Sequence, residues 1–216
     1  MNKYLIICII LAVRLFGYDF FVAWRRKNIL NKLADLLMKG QIQEFEAMTE
    51  RKDVQRRVPP FNLDYLKLNR AMISGDKKKT VEMFDSFKDK RLNEAQKKEI
   101  ATRGFNYFIT EKDKKRAAYY KDQINTLSDT VENKAIKEEV NNFYDICIEK
   151  KTGKLKELLR KNEELDEQYR SVNEFLISTI YETLGDKEKQ EEYRALSRQH
   201  MEMLDKAIAD RMSKEK

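Results

Sequence analysis

The chain has 216 residues and a formal net charge of +7, a length that allows one domain with a hydrophobic core or a short array of repeats. Charged residues make up 38% of the sequence and only six glycines and two prolines are present, a composition that predicts an all-α fold. The hydrophobic fraction of 41% excludes a disordered chain, and Cys8 and Cys147 lie in segments of different character, which predicts no disulfide.

The first predicted element is an apolar helix at residues 4–24, YLIICIILAVRLFGYDFFVAW. At 1.5 Å per residue it would span about 31 Å, close to the roughly 30 Å hydrocarbon core of a bilayer. Insertion of Arg14 costs about 2.5–3.5 kcal/mol, while the apolar side chains return about 4–7 kcal/mol. Trp24 lies where an interfacial aromatic residue belongs. We therefore predict an uncleaved single-pass anchor over residues 1–27, with a basic flank formed by Arg25, Arg26 and Lys27.

Two other interpretations of this segment stay open, a cleaved signal peptide and a core helix of a soluble domain. The apolar run lacks the small-x-small cleavage pattern of a signal peptide. The basic flank outnumbers the positive charges before the helix, so the positive-inside rule predicts a cell-membrane protein with its carboxyl-terminal domain in the cytoplasm. Arg14 and Asp19 either snorkel to the interfaces or pair with another membrane helix.

The remainder of the chain reads as paired amphipathic helices, because apolar residues recur at steps of three and four. We predict a juxtamembrane hairpin and a polar linker at 28–60, a repeat domain at 61–210 and a polar tail at 211–216. Pro59 and Pro60 set the boundary between linker and repeats. In the last predicted hairpin the buried stripe consists of Val172, Leu176, Ile180 and Leu184 before Gly185, followed by Tyr193, Leu196, Leu204 and Ala207.

The phrase Gly-Asp-Lys occurs twice at a predicted turn, in MISGDKKKT at 72–80 and in ETLGDKEKQ at 182–190. Glycine supplies a left-handed turn residue, and Asp76 and Asp186 are suited to cap the helix that follows. The predicted turn centres are spaced by 35, 37, 40 and 33 residues and are Gly40, Gly75, Lys112, Thr152 and Gly185. Helical hairpins at this period are each too small to bury their apolar stripe alone, so we expect them to stack.

The spacing and the segment STIYETLGDKEKQEEYRAL at 178–196 resemble the tetratricopeptide repeat. Ala117 follows the third turn where that family favours alanine, and Tyr181 falls at an aromatic position. The positions equivalent to Ala117 in the second and fifth units are Thr80 and Gln190. The resemblance implies a right-handed solenoid that binds proteins or peptides; an irregular helical bundle is the alternative architecture.

No pattern in the sequence indicates catalysis. It lacks a phosphate-binding loop, a dinucleotide fingerprint and a nucleophile elbow, so we expect a non-enzyme without a cofactor. The single histidine, His200, has no cysteine or second histidine nearby in the sequence and predicts no metal site. Basic residues are interleaved with acidic ones and no nucleic-acid motif is present, which argues against nucleic acid as a partner.

Basic residues also recur around the predicted internal turns. If the hairpins stack, these turns line up along one edge that could contact anionic lipid or an acidic partner. The predicted basic turn edge consists of Lys77, Lys78, Lys79, Lys114, Lys115, Arg116, Lys150, Lys151 and Lys154.

The sequence thus predicts a membrane-anchored, non-catalytic scaffold that holds a protein or peptide partner at the cytoplasmic face of the membrane. The alternative is an accessory subunit of a membrane complex that docks through its transmembrane helix, with Arg14 and Asp19 as the contact residues.

Overall fold

The computed structural model describes the backbone of residues 3–214 and the side chains of residues 20–210. Over residues 3–214 the chain is helical and has no strand, which confirms the all-α prediction. The helices are α1 (Lys3–Met38), α2 (Ile42–Thr49), α3 (Lys52–Arg57), α4 (Pro60–Ile73), α5 (Lys77–Ser86), α6 (Glu94–Thr110), α7 (Lys114–Asn125), α8 (Val131–Phe143), α9 (Leu155–Glu164), α10 (Ser171–Leu184) and α11 (Lys187–Lys214). A π-helical turn at Tyr144–Ile148 extends α8, and a 3₁₀ turn at Glu167–Tyr169 precedes α10.

The chain divides into two compact units, Met1–Arg91 and Leu92–Lys216. The amino-terminal unit contains α1–α5 and the carboxyl-terminal unit contains α6–α11. Each unit has its own hydrophobic cluster, built from the apolar stripes of its helices.

Helix α1 continues without a break through the predicted basic flank and supplies the first wall of the amino-terminal core. That core is made by Leu33, Leu36, Leu37, Phe45, Met48, Val54, Val58 and Leu63. Most of the predicted anchor, residues 4–19 with Arg14 and Asp19, lies outside the residues whose side chains are described. Within the described part of the chain, no helix has both the length and the apolar character that crossing a membrane requires.

The segment predicted as a polar linker contains a short helix, α3 (Lys52–Arg57). Val54 and Val58, one turn apart, are both buried in the amino-terminal core and hold α3 against α1. Pro59 then adopts extended backbone and Pro60 is the first residue of α4, a position where proline loses no helical hydrogen bond.

In the carboxyl-terminal unit, α6 and α7 form a closely packed hairpin around Gly104. A methyl group added at Gly104 would lie 2.8 Å from ring carbons of Tyr120, so only glycine fits at this contact. The Tyr120 ring in turn stacks on Phe108, with centroids 5.6 Å apart and planes within 5°. The second cluster of this unit joins α9, α10 and α11 around Ile146, Leu158, Leu176, Ile177, Ile180 and Tyr181.

Five residues of the described chain have left-handed backbone, and each ends a helix: Gly40, Gly75, Lys112, Lys150 and Gly185. Their spacings of 35, 37, 38 and 35 residues agree with the predicted period. The predicted fourth turn centre, Thr152, lies in the middle of the turn at 149–154, whose left-handed residue is Lys150. The π-helical turn leads into an earlier stop, where the Lys151 N–H donates to the Asp145 carbonyl at 2.9 Å and Lys150 takes the left-handed conformation.

The predicted caps after the glycines are confirmed. Asp76 accepts a hydrogen bond from the Lys79 N–H at 2.9 Å, and Asp186 accepts one from the Lys189 N–H at 3.1 Å. These side chains satisfy amides at helix starts that have no intrahelical acceptor. The chain therefore reverses direction by the same local device in both units. A tetratricopeptide-like solenoid stays a prediction.

Candidate partner-binding groove

A cleft of about 380 Å³ opens between α8, α9 and the start of α10. Its apolar lining residues are Leu158, Leu165, Tyr169, Val172 and Leu176. Its other lining residues are Ala135, Glu138, Glu139, Asn142, Lys161 and Asn173. We call this cleft the α8–α10 groove. Its volume lies at the lower end of the range of ligand sites in proteins, about 300–1,000 Å³.

The end of α9 shapes the rim of the groove. The helix stops at Leu165, whose backbone is extended, and the 3₁₀ turn at Glu167–Tyr169 brings the chain back to α10. This turn leaves the Tyr169 side chain 51% exposed. The Arg170 guanidinium donates to the Leu165 carbonyl at 2.7 Å and ties the two ends of the turn together.

Helix α10 presents apolar side chains to solvent beside the groove. Val172 is 39% exposed and Phe175 is 43% exposed. The Phe175 ring stacks on Phe143 of α8 with centroids 6.2 Å apart. The assignment of Val172 and Leu184 to the buried stripe of α10 is therefore wrong, since both are exposed.

The positions that α10 buries instead include polar residues. Glu174 is 1% exposed and forms hydrogen bonds through both carboxyl oxygens. His200 Nδ1 of α11 lies 2.8 Å from Glu174 Oε2, and the Asn162 amide of α9 donates to Glu174 Oε1 at 3.3 Å. The Asn173 amide donates to the Leu158 carbonyl at 2.8 Å and to Asn162 Oδ1 at 3.1 Å.

This buried polar network joins three helices and fixes the rotation of α10. A buried carboxyl group without partners costs several kcal/mol, so α10 is most stable where its carboxyl group meets its partners on α9 and α11. Glu174 was not predicted from the sequence as the partner of His200. The available signal was an acidic residue among the apolar residues of α10, 26 positions before the only histidine.

The groove carries opposite charges on its two walls. Glu138 and Glu139 project from α8, whereas Lys161 projects from α9, and all three are exposed. None of the three has an ion-pair partner among the described residues. Adjacent carboxylates on a helix are usually solvated surface groups, but here both line the groove. The arrangement can bind a segment with an apolar face flanked by a basic and an acidic side chain.

The predicted basic turn edge is only partly available for binding. In the amino-terminal unit, Lys77, Lys78 and Lys79 are exposed in the first turn of α5. In the carboxyl-terminal unit, Lys114, Lys115 and Lys150 are exposed, whereas three others are engaged locally. Arg116 pairs with Asp113 at 2.8 Å and lies over the Phe108 ring. Lys151 pairs with Asp145 at 2.8 Å. Lys154 donates a hydrogen bond to Asn142. An edge that continues from one unit to the other stays a prediction.

The predicted interfacial residues fall in two groups. Trp24, Arg25, Arg26 and Lys27 are exposed on α1. Trp24 stacks on Phe21 with centroids 6.2 Å apart, and the Arg25 guanidinium lies 4.8 Å from the Phe21 ring centroid. The side chains of Arg14 and Asp19 lie outside the described residues.

The described residues contain no cluster of three or more histidine, cysteine, aspartate or glutamate side chains suited to a metal ion. Cys147 is half-buried, and its burial raises the pKa of the thiol to about 11. The thiolate is the nucleophilic form of cysteine, so this side chain is poorly suited to nucleophilic chemistry at neutral pH.

Comparison of the chain with protein-family models, with curated proteins and with solved structures finds no match. The tetratricopeptide resemblance accordingly stays a prediction from the sequence.

Proposed function

We propose that the chain is a membrane-anchored, non-catalytic scaffold whose helical hairpins hold a protein partner at the cytoplasmic face of the membrane. The observation that carries the proposal is the α8–α10 groove, where Tyr169, Val172 and Phe175 are exposed beside a wall fixed by buried hydrogen bonds. Exposed apolar side chains next to a concave surface are typical of protein-binding sites. The anchor at residues 4–24 would keep this surface near the membrane.

The occupant that suits the groove is an amphipathic helix of the partner. Such a helix would lay its apolar face on Leu158, Tyr169 and Val172, the helix-in-groove mode of peptide recognition. A basic residue of the partner would meet Glu138 and Glu139 on α8, and an acidic residue would meet Lys161 on α9. These charges set the direction of the bound helix, because reversing it would bring like charges together.

Site-specific crosslinking tests the proposal. A photoreactive residue at Val172 should crosslink a partner segment in native membranes, and peptide mapping should identify an amphipathic helix. The matched control is the same residue at Leu184, which is also apolar and exposed on α10. Equal crosslinking to one segment from both positions would contradict the proposal.

Binding of the mapped segment as a synthetic peptide gives the quantitative test. Tyr169→Ala should weaken it by about 30-fold, the effect of removing an aromatic anchor worth about 2 kcal/mol. Val131→Ala, outside the groove and 89% exposed, should change binding less than about twofold. Replacement of residues 4–24 by an unrelated membrane helix should leave the peptide bound. Release of the partner by that replacement alone would favour an accessory subunit that docks through the anchor.

A further inference from the structure

A second cavity, of about 310 Å³, lies in the amino-terminal unit between α1 and α3. We call it the arginine pocket, and its lining residues are Phe21, Val22, Arg25, Arg26, Arg56 and Arg57. Among the described residues, its lining contains four guanidinium groups and no carboxylate. Lysine outnumbers arginine 29 to 15 in the chain, yet the four described cations of the pocket are all arginine.

Two local features bring the four arginines together. The buried side chains of Val54 and Val58 hold α3 against α1. The Arg26 Nε then donates to the Arg57 carbonyl at 3.1 Å, which fixes the end of α3 beside the basic flank. The carbonyl at the end of α3 favours a cation, so the backbone itself stabilises part of this crowded positive charge.

Little negative charge within the described residues compensates the pocket. Asp53 is a described acidic group that pairs with a pocket arginine; its carboxylate accepts two hydrogen bonds from Arg51, at 3.0 and 3.1 Å, and lies 3.9 Å from Arg57. The hydrogen bond from Arg51 lowers the pKa of Asp53, so this carboxylate is ionised and already occupied. No described carboxylate forms an ion pair with Arg25, Arg26 or Arg56.

We infer that the arginine pocket binds the phosphate group of an anionic lipid. One planar guanidinium group can donate two parallel hydrogen bonds to two oxygens of a phosphate, which a lysine ammonium group cannot do. Phe21 and Val22 give the pocket an apolar wall, and Trp24, which is 51% exposed, stacks on Phe21 with ring centroids 6.2 Å apart. A free phosphate ion gains nothing from an apolar wall, whereas a lipid phosphate is followed by its glycerol and acyl chains.

This inference rests on the proposed membrane anchor, because α1 would carry the arginine pocket at the interface where residues 4–24 leave the bilayer. It adds a ligand class and two residues, Arg56 and Arg57, that the sequence had assigned to a polar linker. Bound lipid would then join α1 to α3 and orient the amino-terminal unit on the membrane surface.

Trp24 is the only tryptophan of the chain and reports on the pocket. The full chain in neutral detergent would be titrated with dihexanoyl phosphatidic acid, dihexanoyl phosphatidylcholine and inorganic phosphate, with Trp24 fluorescence followed and bound lipid counted by native mass spectrometry. We expect saturable binding of the phosphatidic acid, at least tenfold tighter than binding of either other ligand.

Two double variants make the test specific. R56Q/R57Q should weaken phosphatidic acid binding at least tenfold, and R56K/R57K should recover only part of that loss because lysine keeps the charge without the paired donors. K32Q/K52Q removes the same charge from exposed positions outside the pocket and should change binding less than twofold. If R56Q/R57Q and K32Q/K52Q lose phosphatidic acid affinity equally, binding depends on net charge and not on the pocket, and the inference is overturned.

The ligands separate the remaining outcomes. Inorganic phosphate that binds as tightly as the phosphatidic acid would make the pocket a free-anion site, and equal binding of phosphatidylcholine or no bound lipid would also overturn the inference. Flotation of the chain with phosphatidylcholine vesicles tests the anchor separately. A chain that floats without selecting phosphatidic acid contradicts the lipid site alone, whereas one that selects phosphatidic acid but does not float contradicts the anchor alone.

Discussion

Gly104→Ala is a sharp test of the packing between α6 and α7. An added methyl carbon would lie 2.8, 2.8 and 2.9 Å from three ring carbons of Tyr120, whereas carbon atoms pack best at about 3.5–4.0 Å. The ring cannot move away freely, since it also packs against the buried ring of Phe108 and the ring of Tyr119.

Two opposing contributions set the size of the effect. Overpacking of this kind costs about 1–3 kcal/mol, while alanine in place of glycine inside a helix contributes about 0.8–1.0 kcal/mol. We expect Gly104→Ala to lower the free energy of unfolding by about 1 kcal/mol. In a Tyr120→Leu background the ring is gone, and the same substitution should become stabilising by about 1 kcal/mol.

Urea unfolding of the four chains of this double-mutant cycle, followed by circular dichroism, measures the coupling between Gly104 and Tyr120. The matched control is Gly153→Ala, because no heavy atom lies within 4 Å of the added methyl group and the backbone there is not left-handed. This control should be neutral or stabilising by up to about 1 kcal/mol. Stabilisation by Gly104→Ala in the native background would refute the close contact.

Two further predictions concern buried groups of the carboxyl-terminal unit. Phe105 on α6 is 1% exposed. Phe105→Asp should lower the free energy of unfolding by more than about 3 kcal/mol, because it leaves a carboxyl group buried without partners. Unchanged stability in the same urea titration would mean that this face of α6 is not buried. Because burial raises the pKa of the Cys147 thiol to about 11, only about one thiol in a thousand is ionised at pH 8. Iodoacetamide labelling of a Cys8→Ser chain should therefore rise about tenfold per pH unit from pH 7 to 10, and a rate that levels off below pH 9 would contradict the raised pKa.

The helix order and most turns were predictable because the signals are local. Gly40, Gly75 and Gly185 follow apolar stripes and tolerate left-handed backbone, so the sequence marks where each helix ends. Lys150 has no such signal. A left-handed lysine is disfavoured by about 1–2 kcal/mol, so the sequence places the turn but does not mark Lys150 as its left-handed residue.

The two cavities were not predictable from local pattern. Residues 49–60 are mostly polar, and the pair Val54 and Val58 is too short a periodic signal to define a helix. Without knowledge of α3, Arg56 and Arg57 are indistinguishable from ordinary charged residues of a linker. Their meeting with Arg25 and Arg26 depends on a tertiary contact between segments about 30 residues apart.

The exposed side of the α8–α10 groove depends on which residues of α10 are buried. The helix buries Leu176, Ile177, Ile180 and Tyr181, and Glu174 lies on the same face, where it is hydrogen-bonded to Asn162 and His200. Val172 and Phe175 lie outside this face and are exposed.

The buried carboxyl group of Glu174 and the exposed side chains of Val172 and Phe175 both cost stability in the isolated chain. Burying a carboxyl group requires every hydrogen bond of its network, and exposing valine and phenylalanine forgoes about 25 cal/mol for each Å² of apolar surface left in water. Departures from local consistency are typical of functional sites, where the surface left uncovered by folding is covered by a ligand. A partner helix on Val172 and Tyr169 would recover the forgone burial, so the groove proposal accounts for the exposed apolar face.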